Sequence, residues 1–308
     1  MSSFLKLIRY KNLLMVLLTL VLTKYALIDS FESTSYFSNF QFSIISVSIL
    51  CITAGGYIIN DIIDLKADKI NKPDKVFIDQ TITKQNAIIT YLLFSIIGLV
   101  LGSYLSFQVS NPMLSFIFIG TIIGLYLYSK VFKRLALIGN LITSFFISLV
   151  IITLYIFESN LPKLSTNLLD VFINIFESIT TTLHVFFYAF FAFLITFIRE
   201  MIKDIEDING DYAMNMKTLP ILIGVKRAKS VVFIVTIFTF CFLILALKEI
   251  FSNTLLFVYS FTFVLIPFAW FLYKLRITQH AKQYHQISSA LKLIMVFGIV
   301  SMLIFKFQ

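Results

Sequence analysis

Apolar residues in this chain come in long unbroken runs, and polar residues collect in the gaps between them. Nine runs read as helices, over roughly 12–28, 41–60, 87–106, 112–128, 136–157, 183–203, 229–247, 253–273 and 289–305. Each approaches the roughly 20 residues that cross a bilayer as a helix. They are too long and too continuously apolar for the alternating strands of about 10 residues that build an outer-membrane barrel. Interiors rich in Phe, Leu and Ile suit helices that satisfy every backbone group within the segment. The chain has 308 residues, and the composition agrees: 59% hydrophobic, 13% charged, mean hydropathy +0.93. Soluble domains carry about 25% charged residues. A soluble globular enzyme, a disordered chain and a nucleic-acid-binding domain are excluded. The expected fold class is all-α, a polytopic membrane protein with nine transmembrane helices. No low-complexity run or linker interrupts it, so a single membrane domain over 1–308 is expected.

The formal charge of +9 then becomes a question of sidedness. With the N-terminus inside, alternate loops and helix ends on that side hold 21 of the 25 basic residues, leaving Lys24, Lys163, Lys248 and Lys306 outside. This is the bias that positive-inside topology predicts for nine spans. The basic start (Lys6, Arg9, Lys11) before an apolar stretch resembles a signal peptide but lacks a small-x-small cleavage site, so a retained first helix is expected. The reading is an integral, multi-pass protein with a cytoplasmic N-terminus, in the inner (plasma) membrane if the source is bacterial. Cys51 and Cys241 lie in apolar runs without a CxxC partner and read as buried, inert thiols.

Two cytoplasmic loops are long and charged, 60–86 and 204–228. The first opens with Asp61, Asp64 and Asp68, the second with Asp204, Asp207 and Asp211. Both are D-x-x-D-x-x-x-D, offset by 143 residues throughout (204−61). At about 100° per residue, the three acids of each copy fall within roughly 60° of one another, a carboxylate stripe at the end of a membrane helix. Four helices separate the copies, so both stripes emerge on one side of the membrane. Six carboxylates near a low-dielectric layer repel strongly unless cations neutralise them. Hard oxygen ligands suit Mg²⁺, which binds a few carboxylates together with substrate phosphate. Six carboxylates and a diphosphate of about −3, less two Mg²⁺, leave about −5 for basic side chains, protonation or solvent to screen. Of the basic residues on that side, Arg9, Lys75, Lys133 and Lys203 are the favoured diphosphate contacts. Asp64 and Asp207 are the catalytic candidates.

These residues resemble the UbiA superfamily of intramembrane prenyltransferases. The first family signature, N-D-x-x-D-x-x-x-D, is matched by Asn60, Asp61, Asp64 and Asp68; the second, D-x-x-x-D with an Asp three residues earlier, by Asp204, Asp207 and Asp211. Lesser likenesses are Arg9…Asn12, Asn71-Lys72-Pro73-Asp74-Lys75, Tyr128-Ser129 with Lys133-Arg134 and Gly139-Asn140, and Lys217-Thr218-Leu219-Pro220. The chain departs from the pattern in lacking Pro after Arg9, and in Lys75 where many members have Arg. The resemblance implies a nine-helix bundle around a central cavity that opens laterally to lipid, capped by the two Asp-rich loops. It implies Mg²⁺ held by Asn60, Asp61, Asp64, Asp68, Asp204, Asp207 and Asp211. The implied reaction transfers a polyprenyl group from an allylic prenyl diphosphate to a lipophilic acceptor. The segments 7–14 and 199–207 are most like the geranylgeranylglycerol-phosphate geranylgeranyltransferase branch.

Aromatic acceptors of quinone synthesis, 4-hydroxybenzoate or a naphthoate, are the alternative. A cation-coupled transporter is the reading outside enzymes, but it would place ionisable residues near the midplane on Gly/Pro-broken helices. The D-G-x-x-A-R element of a CDP-alcohol phosphotransferase is absent. His184, His280 and His285 show no HxxxH spacing and read as interfacial residues.

Overall fold

The computed structural model describes residues 3–31, 37–71, 76–159, 168–249 and 253–307. Among them, nine helices are long and apolar enough to cross a membrane. They are α1 (Tyr10–Phe31), α2 (Asn39–Ile63), α3 (Lys84–Gln108), α4 (Pro112–Lys130), α5 (Ile138–Ser159), α6 (Ile179–Glu206), α7 (Val225–Lys248), α8 (Thr254–Ile277) and α9 (Ala281–Phe307). Each coincides with one of the nine apolar runs, and the chain is an integral, multi-pass membrane protein.

Helix starts carry their own chemistry. Ser38 Oγ accepts from the Gln41 amide while Gln41 Oε1 accepts from the Ser38 amide, a reciprocal cap on α2. Thr83 opens α3 and Asn253 opens α8 by single side-chain caps. Two starts differ from the sequence expectation. The helix that carries α6 begins at Leu168, in the gap between the apolar runs 136–157 and 183–203. Residues 281–288 are polar yet helical, because Gln283 Oε1 accepts from the amides of Gln279 and His280 and because Tyr284 and Ile287 are buried.

The chain packs as two compact units, Met1–Phe132 with Leu149–Val185 and Lys133–Ser148 with Phe186–Gln308. In the first, α2 packs against α1, α3 and α4. Small residues line the α2–α3 seam: Ser48 Oγ donates to the Gly98 carbonyl at 2.6 Å, and a Cβ on Gly98 would lie 2.5 Å from Ile52. Such residues let membrane helices approach closely. A buried ion cluster ties α1 to α5. Lys24, 1% exposed on a π-helical stretch of α1, donates at 2.9 Å to both carboxylate oxygens of Glu158, itself 2% exposed. The same ammonium reaches Asp29 at 2.9 Å.

In the second unit, one face of α6 supplies Ile195, Ile198 and Ile202 to a core shared with Val232, Phe268 and Leu291. Tyr188 and Ser301 share a buried hydrogen bond of 2.8 Å. The expectation of buried thiols fails: Cys51 is half-buried and Cys241 exposed. Helices that are apolar all round give no period by which core-facing and lipid-facing positions can be told apart.

Candidate active site

The first carboxylate stripe belongs to the first unit. Asn60 and Asp61 lie on the last turn of α2, which ends at Ile63. Asp64 follows at φ −82°, ψ 0°, and a short helix, Leu65–Asn71, then carries Asp68. A continuous helix was the expectation; the structure interrupts it for one residue. The stripe survives because the ladder continues across the interruption, with the Asp64 amide donating to the Asn60 carbonyl (2.8 Å) and the Asp68 amide to the Asp64 carbonyl (2.9 Å). Asp64 is only 3% exposed. Asp61 and Asp68 line a shallow recess, with room for about one water, together with Leu65, Val76, Phe77 and Ile78.

Arg9 covers this stripe from the start of α1. Its Nη2 donates to Asp61 Oδ1 at 2.5 Å, and the guanidinium carbon lies 5.0 Å from the centre of the Tyr57 ring. Burial opposes the charge, but Asp61, with Tyr57 and Asp68 behind it, raises the Arg9 pKa above its ordinary value. A raised basic pKa is lost only as pH climbs through it, so Arg9 keeps its charge at every workable pH. The backbone there is left-handed, φ 52° and ψ 51°, between the helix Ser3–Leu7 and α1. For a residue with a Cβ this costs about 1–2 kcal/mol.

The second stripe, in the second unit, has the same construction. Asp204 lies in the last turn of α6, Asp207 follows the helix end at φ −94°, ψ 10°, and Asp211 lies on the short helix Ile208–Ala213. Amide bonds cross this interruption too, from Asp207 to Lys203 (2.8 Å) and from Asp211 to Asp207 (3.2 Å). Both middle aspartates thus sit in the sparsely populated bridge region between helix and strand. Asn140, on α5, donates Nδ2 to Asp204 Oδ2 at 2.8 Å. Lys203 is engaged by Glu200, with Nζ at 3.0 and 3.1 Å from its two oxygens, and Arg199 Nη1 reaches Glu200 Oε1 at 2.8 Å. Lys133, in the turn Phe132–Arg134, lies within electrostatic reach of Glu200.

Of the residues expected in the site, Asn60, Asp61, Asp64, Asp68 and Arg9 come together in the first unit. Asp204, Asp207, Asp211, Lys133 and Lys203 do so in the second. Lys75 lies outside the described residues. Sequence reasoning missed Tyr57, Asn140 and Glu200 as partners. Glu200 had a signal, since it stands four residues before Asp204 on the same helical face. The histidines are not gathered with the acids as a set: His184 Nδ1 meets the Thr180 carbonyl, and His285 Nδ1 meets Glu206.

Two observations bear on whether this donor set suits a divalent cation. Asn60 Oδ1 is buried with no hydrogen-bond partner among the described residues, a hard oxygen beside Asp61 and Asp64. Among the described residues, no three acid, His or Cys side chains converge tightly enough to hold an ion by themselves. The buried Asn60 oxygen fits Mg²⁺, a hard cation that takes a few protein oxygens beside waters and substrate phosphate.

Comparison with known proteins places this geometry. A curated relative, digeranylgeranylglyceryl phosphate synthase of Saccharolobus solfataricus, is 30% identical over 229 residues, 74% of this chain and 71% of the relative. Two solved structures share the fold. One, of digeranylgeranylglyceryl phosphate synthase, superposes with a TM-score of 0.62 at 20% identity, covering 98% of each chain. The other, a UbiA homologue from Archaeoglobus fulgidus bound to DMAPP and Mg²⁺, gives 0.58 at 15% identity, covering 98% of this chain and 99% of that one. The model of the UbiA prenyltransferase family matches residues 15–301, a stretch that takes in both stripes and the seven complete helices α2 to α8, and the chain belongs to that family.

Proposed function

We propose that this protein is a Mg²⁺-dependent prenyltransferase that moves a geranylgeranyl-type group from its allylic diphosphate to the free hydroxyl of a phosphorylated glycerol lipid. The observation that carries the proposal is the pair of carboxylate stripes, each interrupted at its middle aspartate and each ending on a short helix. Family membership supports prenyl transfer and sets aside the cation-coupled transporter. The name shared by the Saccharolobus relative and a solved structure of the same fold supports the phosphorylated acceptor. The A. fulgidus homologue with DMAPP and Mg²⁺ supports the donor class and the ion. Residues 1–308 act as a single membrane domain in this reading. The N-terminus and both Asp-rich loops are cytoplasmic in this reading, which the bias of basic residues to one set of loops supports.

Asn60, Asp61, Asp64 and Asp68 would hold Mg²⁺ at the first stripe, and Asp204, Asp207 and Asp211 at the second. The bound ion supplies Lewis-acid neutralisation of the diphosphate as it departs. The protein does the rest. Asp64 and Asp207, fixed at helix ends by amide bonds on either side, keep their carboxylates in place before substrate arrives, so little reorganisation accompanies charge development. Arg9 supplies a permanent positive charge beside Asp61. The apolar helices exclude water from the allylic carbon, which would otherwise be hydrolysed. The carbon–oxygen bond to diphosphate breaks with its electron pair on the leaving oxygen. The acceptor hydroxyl oxygen bonds to the allylic carbon, and its proton passes to the departing diphosphate.

The test is an assay of membranes containing the protein, with geranylgeranyl diphosphate, candidate acceptors, and chelator present or absent. Lipid extraction and product identification fix donor length and acceptor together. An ether-linked digeranylgeranyl product that disappears with chelator is expected. A prenylated 4-hydroxybenzoate or naphthoate would redirect the acceptor assignment, and full activity in Asp64→Asn or Asp207→Asn would overturn the catalytic one.

A further inference from the structure

Glu200 gathers positive charge one helical turn inside the second stripe, and Arg199 has no part in the donor chemistry above. On α6, the residue four positions before Asp204 lies on the same face and about 6 Å further into the membrane. There Glu200 Oε1 receives Arg199 Nη1 at 2.8 Å and Lys203 Nζ at 3.0 Å. Lys133 brings a third positive charge to the same carboxylate. The side chains of Arg199 and Glu200 are only 16% and 13% exposed there, and Lys203 also faces Asp204. Arg199 Nε is itself buried with no hydrogen-bond partner among the described residues. A guanidinium with one edge on a carboxylate and an unmet N–H has the geometry that phosphate oxygens take.

We infer that Arg199 and Lys203, held in place by Glu200, bind the phosphate of the lipid acceptor. The inference rests on the reading that the acceptor is a phosphorylated glycerol lipid. Depth argues for the acceptor over the donor. The allylic carbon lies on the membrane side of the diphosphate it leaves, and the attacking hydroxyl must reach that carbon. In a glycerol phosphate the hydroxyl and the phosphate ester sit on neighbouring carbons, so the acceptor phosphate lies close to the same depth. That depth is one turn inside Asp204, where Arg199 and Glu200 stand. Lys203 thereby moves from the donor diphosphate, its sequence-based assignment, to the acceptor. Arg199 becomes a specificity residue for phosphorylated over unphosphorylated acceptors.

The experiment measures kcat/KM of the membrane-embedded protein for geranylgeranylglyceryl phosphate and for the same lipid without its phosphate, at saturating donor and in a donor titration. Arg199→Gln is expected to lower kcat/KM for the phosphorylated acceptor about 10- to 100-fold, chiefly through its KM, and to abolish the preference over the alcohol. Arg199→Lys keeps part of that preference. If R199Q does not accumulate, Lys203→Gln, at the more exposed partner, gives the same readout. A rise in donor KM of that size assigns the cluster to the diphosphate and overturns the inference. Equal losses on both acceptors make it a packing feature and overturn it as well. A wild-type protein that prenylates both acceptors equally well overturns the phosphate site but leaves prenyl transfer standing, whereas one inactive with every acceptor removes the underlying reading.

Discussion

Lys24→Met should destabilise the first unit far more than Lys24→Met combined with Glu158→Met. Lys24 and Glu158 are 1% and 2% exposed and lie 2.9 Å apart. At an effective dielectric of 20, two unit charges at that distance attract by about 6 kcal/mol. Removing each ion from water costs several kcal/mol, so the intact pair contributes little net stability. Taking away the lysine alone keeps the desolvation cost of Glu158 and loses the attraction that offset it, a deficit of about 3–5 kcal/mol. Replacing both removes cost and gain together, leaves two apolar side chains to pack, and turns Asp29, 26% exposed, toward solvent. Fluorescence-detected size-exclusion melting in detergent reads this directly. K24M should melt at least about 5 °C lower than wild type, with the double variant recovering most of the difference. A K24M melt indistinguishable from wild type, or a double variant as weak as the single, would refute the reasoning, because a buried charge would then be solvated by something other than its partner.

Asp64→Asn and Asp207→Asn should each lower turnover about 100-fold or more without changing the melting temperature, as activity and melting on one preparation will show. Asn140→Leu removes the donor that orients Asp204, and should raise the Mg²⁺ concentration for half-maximal activity about 10-fold, read from a metal titration. Gly98→Ala places a Cβ 2.5 Å from Ile52 and 3.0 Å from the Ser48 carbonyl; overpacking there should cost about 1–3 kcal/mol, seen as a lower melting temperature with the Mg²⁺ requirement unchanged. Arg9→Gly releases about 1–2 kcal/mol of left-handed backbone strain but deletes the ion pair to Asp61, so melting should barely move while turnover falls about 10-fold or more.

The nine helices were legible because lipid demands continuous apolar runs, and no soluble packing arrangement competes with that signal. Both stripes were legible because local spacing decides which side chains share a helical face. What stayed hidden depends on contacts between distant positions. Arg9 meets Asp61 across 52 residues and Lys24 meets Glu158 across 134, and no local pattern marks either pair. Lys24 had counted only as an outside charge, and the structure buries it. No Gly or Pro announces the interruptions at Asp64 and Asp207; these ends are set by the chain's departure into a second short helix. Asn140 was visible only as half of a Gly-Asn pair.

Those interruptions bear on which ions the protein accepts. In each stripe the first acid rides on a long membrane helix and the last on a helix of 6 or 7 residues, with the middle aspartate as the joint. The ladder of amide bonds runs across the joint and holds the middle aspartate, while the first and last acids ride on separate helices. Ligands carried on two arms do not close into a full cage. On the proposed reading, such a site leaves coordination positions open for water and phosphate oxygens, which suits an ion that keeps part of its water shell.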